Sequence, residues 1–179
     1  NEEMQTLTVH CTIRDGLFWS YCNSDEKIPV TSDDIVWWYD NISGNPEFQS
    51  SAYSGQFVPM PDGSIERIRA VKIDDRHFDF VYPRIVADPV LSSNCSFYPS
   101  WIYKEAFEKN GTEGVKNLFS INTDPRTIPS MGRYYISEYS PGQRLVFSRN
   151  PNYWQKDENG ISNPYPEQTV YQIVGDQNT

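Results

Sequence analysis

Two alternating runs either side of a Pro-Gly pair constrain this chain more than any other feature. Residues 133–139 and 144–149 are rich in aromatic and branched side chains, and Ser140, Pro141, Gly142 and Gln143 lie between them. Pro-Gly favours a reversal of the chain over continued helix or strand. The pattern therefore predicts a β-hairpin over 133–149. It runs into Asn150-Pro151-Asn152-Tyr153-Trp154, an aromatic Asn-Pro corner. A last strand is predicted over 167–174.

The N-terminal part shows both periods. Residues 6–13 alternate polar and apolar, with Leu7, Val9, Cys11 and Ile13 on one face, which reads as a half-buried strand. His10 then faces solvent. Arg14-Asp15-Gly16 turns the chain, Leu17 to Trp19 continue extended, and residues 21–27 are loop-like. Thr31 suits a helix N-cap, and Asp33 and Asp34 fall in the first turn, where carboxylates complement the helix dipole. Ile35, Trp38, Tyr39 and Ile42 follow at helical spacing until Gly44-Asn45-Pro46, so a helix is predicted over 31–42. Residues 65–73 alternate again, Asp74-Asp75 makes a turn, and 77–82 returns as a hairpin partner. Short helices are expected over 103–109, ended by Asn110-Gly111, and over 112–119.

Composition narrows the class of function. In 179 residues, 37% are hydrophobic and 22% charged, the balance of a globular protein. The net charge of −9 argues against nucleic acid or an anionic membrane as partner. No apolar run approaches the ~20 residues that span a bilayer. No signal-peptide pattern is read at Asn1, and the chain is expected to be a fragment of a longer protein. Aromatic residues are abundant, with 12 Tyr, 9 Phe and 5 Trp. They suit core and sheet-face packing, or a pocket that grips a ligand by apolar and stacking contacts.

Catalytic and metal-binding patterns are missing. His10 and His77 lie in no setting that suggests a nucleophile–base pair. Asp74, Asp75 and His77 read as turn chemistry rather than a metal cluster. Asp33 and Asp34 read as a helix start rather than a catalytic pair. Residues 157–160 lack the later ligands of a calcium loop. No cofactor and no metal is expected. Cys11 and Cys22 are spaced to close a small disulfide loop, leaving Cys95 free, or else Cys11 is a small buried apolar residue.

Three blocks, in order, resemble the extracellular solute-binding proteins of ABC importers, the oligopeptide, dipeptide and nickel-binding family (family 5). The first is Ile13 to Ser20 followed by Pro29 to Val36. The second is Val71 to Asp75 followed by His77 to Phe80. The third is Met131 to Tyr134, Pro141-Gly142, Asn150 to Trp154, and Asn163-Pro164-Tyr165. The chain departs from the family by an insertion over 21–28 and by Arg133, where the family has Pro. The resemblance implies an α+β fragment with mixed or antiparallel hairpins and a few short helices, from a periplasmic-binding-protein-like fold (type II, cluster C). It implies a small middle-domain-like region over 1–124, with helix 31–42 and hairpin 65–82. Residues 125–179 would then contribute a hairpin and the following strand to a ligand-gripping lobe.

By the same resemblance, the protein is expected to capture a small solute, a peptide by preference, without catalysing a reaction. It would act as a monomer and deliver the solute to an ABC permease. Its place would be the periplasm or the cell exterior, with lipoprotein anchoring. Tyr53, Asn94, Cys95 and Phe97 are the residues expected to approach the solute. Two rivals are an aromatic-rich carbohydrate-binding or adhesion module, which would expose a planar row of rings, and a hydrolase whose catalytic residues lie elsewhere.

Overall fold

The computed structural model describes residues 5–93 and 95–174. In chain order the elements are β1 (Leu7–Thr12), β2 (Phe18–Ser20), β3 (Lys27–Pro29), α1 (Asp33–Trp38), β4 (Phe57–Pro59), β5 (Ile65–Arg67), β6 (Arg69–Lys72) and β7 (His77–Tyr82). Then come α2 (Pro89–Ser92), α3 (Ser100–Lys116), β8 (Tyr134–Ser140), β9 (Arg144–Arg149) and β10 (Gln168–Gln172). This is the α+β class anticipated, with small antiparallel sheets and few helices. The chain divides into two compact units, Asn1–Arg14 with Thr31–Leu118, and Asp15–Val30 with Phe119–Thr179. Residues 15–30 thus pack with the C-terminal part, where a single boundary near residue 124 was expected.

In the first unit an antiparallel sheet has the order β1-β7-β6. Cys11 pairs with Phe78, Val9 with Phe80 and Leu7 with Tyr82, so these side chains share one face. Phe78, Phe80 and Tyr82 are buried there, each contributing about 1.5–3 kcal/mol by burial if an ordinary large apolar side chain is the guide. His10 faces outward and pairs with Asp79 at 2.8 Å. The alternation over 65–73 is not one strand. Ile68 interrupts it, donating its N–H to Gln56 O at 2.7 Å, so β5 pairs with β4 while β6 pairs with β7. Asp74 closes the β6–β7 turn by accepting the N–H groups of Arg76 and His77, both at 2.8 Å.

Helix α1 also differs from expectation. It starts at Asp33, and Ser32 rather than Thr31 flanks it, making no side-chain cap. Asp34 reaches back instead, its Oδ2 accepting the Thr31 N–H at 3.0 Å. After Trp38 the helix widens into a π-helical turn, Tyr39–Ser43. The reason is long-range: Tyr39 O accepts from Gln56 Nε2 at 3.0 Å and from Arg67 Nη2 at 3.1 Å. Helix α3 begins earlier than predicted, yet it is broken at Asn110 and at Gly111 (φ 59°, ψ −143°), where the sequence placed a stop.

In the second unit the sheet order is β10-β9-β8. The predicted hairpin is present, with Tyr134 opposite Arg149, Ser140 opposite Arg144, and Gly142 at φ 70° in its turn. A bulge lies between Ile136 and Glu138. The Asn-Pro corner is tied to its base: Asn150, fully buried, donates from Nδ2 to Gly132 O at 2.8 Å. Arg133, at the family's proline position, lays its guanidinium over the Tyr153 ring at 5.9 Å. Strands β2 and β3 pair with each other, and Ser20 bridges to Ser130. All three cysteines are free thiols, so the Cys11–Cys22 loop is not formed, and the two residues belong to different units.

A neutral cavity as candidate functional site

The first unit holds a cavity of about 400 Å³. Three segments wall it: α1 with its π-helical turn, the loop over 50–56, and the segment over 92–98. None of the described residues lining it is charged. The apolar wall is Ile35, Trp38 and Tyr98, while Ser50, Gln56 and Ser96 are among its polar groups.

Each wall is held by interactions that start far away in sequence. Trp38 comes from the inner stripe of α1 and stacks on Tyr98, with ring centroids 3.5 Å apart and planes at 14°. Tyr103 of α3 packs edge-on against the same indole at 4.8 Å. Aromatic pairs of this kind contribute about 0.5–1.5 kcal/mol beyond their area. The 92–98 segment is pinned by Asp34, which is buried. Its backbone O accepts the Tyr98 N–H at 3.0 Å, and its Oδ1 accepts the Ser100 N–H at 2.8 Å. A carboxylate accepting backbone N–H groups makes charge-assisted bonds, stronger than neutral ones.

The floor is a polar lock. Gln56, buried, donates to Tyr39 O and accepts from Arg67 Nε at 2.8 Å. Arg67 also reaches Asp40 Oδ1 at 3.0 Å, and its guanidinium lies 5.3 Å from the Tyr39 ring centre. Gly44 makes room for it: a Cβ there would lie 2.2 Å from Arg67 Nη2. Burial pushes the Tyr39 phenol well above its ordinary pKa despite the nearby Arg67 charge. Burial likewise raises the Asp40 carboxyl, with Arg67 partly offsetting it. Tyr39 is thus a neutral phenol at any physiological pH, and its hydroxyl donates to Ile68 O at 3.1 Å.

Of the residues singled out from sequence, Cys95 lines the cavity. Tyr53 does not; it is half-buried and packs on Phe57 at 5.0 Å, although its neighbours Ser50, Ala52 and Gln56 do line it. Phe97 is half-buried and outside the lining, and Asn94 lies outside the described residues. The two expected segments are nevertheless brought to one space. Trp38, Gln56 and Tyr98 went unremarked as site residues. Trp38 has the spacing of a core residue, and only the surplus of rings around it hinted at more. No group of three or more His, Cys, Asp or Glu placed to hold a metal occurs among the described residues.

Residues 2–179 match the family described as bacterial extracellular solute-binding proteins, family 5 Middle. A probable ABC transporter-binding protein of Deinococcus radiodurans is 28% identical over 93% of this chain and 27% of its own length. The oligopeptide-binding protein of Thermus thermophilus, solved with a pentapeptide, superposes with a TM-score of 0.66 at 21% identity, covering 97% of this chain and 29% of that one. A periplasmic binding protein of Agrobacterium fabrum, solved with stachyose, gives a TM-score of 0.67 at 24% identity, covering 97% of this chain and 25% of that one. The chain therefore spans under a third of the length of each.

Proposed function

Because the chain belongs to the bacterial extracellular solute-binding proteins, family 5 Middle, we propose that the intact protein captures a small solute and delivers it to an ABC permease. The observation that carries this reading is the neutral, ring-walled cavity of about 400 Å³. That size is within the roughly 300–1,000 Å³ of small-molecule sites. Binding is driven by excluding water from Trp38 and Tyr98, while hydroxyls and the Gln56 amide orient the solute. With no charge among the described lining residues, this wall offers hydrogen bonds to a peptide's backbone amides rather than partners for its termini.

The relatives bind unlike solutes: one was solved with a pentapeptide, another with stachyose. A peptide remains the reading proposed here, with Tyr53, Asn94, Cys95 and Phe97 on the segments that approach it. No cofactor takes part and no bond is made or broken. The protein works as a monomer in the periplasm or at the cell surface, anchored as a lipoprotein. No described helix is long and apolar enough to cross a membrane. The test is native mass spectrometry of the intact protein, followed by calorimetric titration with whatever copurifies. A peptide bound with micromolar or tighter affinity supports the reading. A protein that binds no small solute, or one that turns it over, overturns it.

A further inference from the structure

We propose that Cys11 and Cys95 are joined by a disulfide when the protein meets an oxidising compartment, tying the 92–98 wall of the cavity to strand β1. Cys22, the partner suggested by sequence spacing, belongs to the other compact unit, whereas Cys11 and Cys95 share one.

The register places Cys11 on the buried face of the β1–β7 pair, opposite Phe78 and two residues from the Val9–Phe80 pair. The segment bearing Cys95 crosses that same face. At one end, the Tyr82 hydroxyl, beside Leu7, donates to Pro89 O at 2.9 Å. At the other end, Tyr98 N–H donates to Asp34 O, and the start of α1 is itself held by Asp75 O accepting from Ser32 N at 2.9 Å. Asp75 lies in the turn next to His77, the partner of Thr12. Residues 89–93 and 95–98 therefore lie between the Leu7 end of the strand pair and its Thr12 end, the end where Cys11 sits. Cys95 falls late in that stretch. Tyr39, which lines the cavity with Cys95, packs its ring edge-on against Phe80 at 5.2 Å, fixing the cavity over this face.

The two thiols also feel one another. Burial pushes the Cys95 thiol up to about 11, and the charge on Cys11 adds to that. Burial raises Cys11 as well, followed by the Asp79 charge. Neither ionises readily at neutral pH, so spontaneous oxidation is slow and exchange with an oxidised dithiol carrier is the route. The Cys11 thiolate attacks the carrier disulfide, forming a mixed disulfide and releasing one carrier thiolate. The Cys95 thiolate then attacks the Cys11 sulfur and releases the second. The carrier leaves as a dithiol, having gained the two electrons and the two protons given up by Cys11 and Cys95. The physiological setting rests on the extracellular reading above, because such compartments sustain disulfides; the crosslink itself can be tested without it.

The intact protein is incubated with a mixture of oxidised and reduced glutathione, its free thiols are alkylated, and it is digested with trypsin without reductant. The sequence places Cys22 on peptide 15–27 and Cys95 on peptide 85–104, while the Cys11 peptide ends at Arg14. Mass spectrometry should find the Cys11 and Cys95 peptides linked and Cys22 alkylated, with the same link in Cys22→Ser. Alkylation of both Cys11 and Cys95, or linkage of either to Cys22, overturns the proposal. Solute affinity measured alongside distinguishes the two readings, since the crosslink can fail while binding persists.

Discussion

The Tyr135 hydroxyl donates to Asn150 Oδ1 across 2.6 Å, joining the first strand of the C-terminal hairpin to the corner that follows its second strand. A phenol has one proton to give, so Ser20 Oγ, also 2.6 Å from that hydroxyl, is the donor to it. Asn150 Oδ1 further accepts the Asn152 N–H at 2.8 Å. All three side chains are buried, and water cannot replace a missing partner. Tyr135→Phe should therefore destabilise the protein by about 1–3 kcal/mol. Urea unfolding followed by tryptophan fluorescence measures it, and an unchanged midpoint would contradict the account.

Gly44 and Arg67 are matched by shape. Gly44→Ala puts a methyl on the guanidinium and 2.8 Å from Tyr39 O, so Arg67 must leave its place over the π-helical turn. The expected cost is about 1–3 kcal/mol, the range for overpacking. Arg67→Met frees Gln56 Oε1 and removes one of the two side-chain donors to Tyr39 O. In the intact protein it should weaken solute binding through the floor of the cavity, without changing which solute binds. Calorimetric titration checks both parts.

Asp34→Asn keeps the shape but offers an amide where two backbone N–H groups require acceptors. One of the bonds to Thr31 or Ser100 must be lost, at about 1–3 kcal/mol. Amide exchange at Thr31 or Ser100 should quicken, because the carboxylate accepts both N–H groups, while the Tyr98 N–H keeps its bond to the Asp34 backbone carbonyl. Equal protection in both proteins would count against that role.

Acid should loosen the loop before β8 by a route that can be followed at one carboxyl. Hydrogen bonds from the Arg126 side chain and backbone, with its charge, lower Asp124 from 3.8 to about 2. The lowered pKa means the unfolded chain binds the proton more readily than the folded one. The contribution is thus complete above about pH 4 and lost as pH falls through about 2. NMR titration of the Asp124 carboxyl checks the value, and Arg126→Ala should return it towards 3.8. Asp124 is solvent-exposed, so the effect on stability should be small.

Filling the cavity tests its role directly. Ala52 lies in the lining and is exposed, so Ala52→Trp should leave the fold intact. Solute affinity should fall at least ten-fold, or about 1.4 kcal/mol. A variant that binds as well as the parent would move the site elsewhere.

The C-terminal hairpin was legible in the sequence because strand alternation and a Pro-Gly turn are local signals, and 133–149 contains both. The break in α3 was legible for the same reason, since Asn110 and Gly111 carry their own conformational bias. What escaped detection was set from a distance. The helix predicted over 31–42 opens at Tyr39 because Gln56 and Arg67 capture its carbonyl, and periodicity within the helix carries no trace of them. The strand predicted over 65–73 divides because Ile68 N–H goes to Gln56. The cavity, too, needs three segments to meet, so only its two loops could be suspected beforehand, and its indole wall looked like core.

The pairing of residues 15–30 with 119–179 has a practical result for anyone cutting this gene. The polypeptide passes from one unit to the other three times, after Arg14, Val30 and Leu118. A piece beginning at Phe119 would lack Ser20, leaving Tyr135 without the hydroxyl that donates to it and Ser130 without its bridging neighbour. Neither unit can be excised as a continuous stretch; a separable second unit would need residues 31–118 removed and a new linker joining Val30 to Phe119.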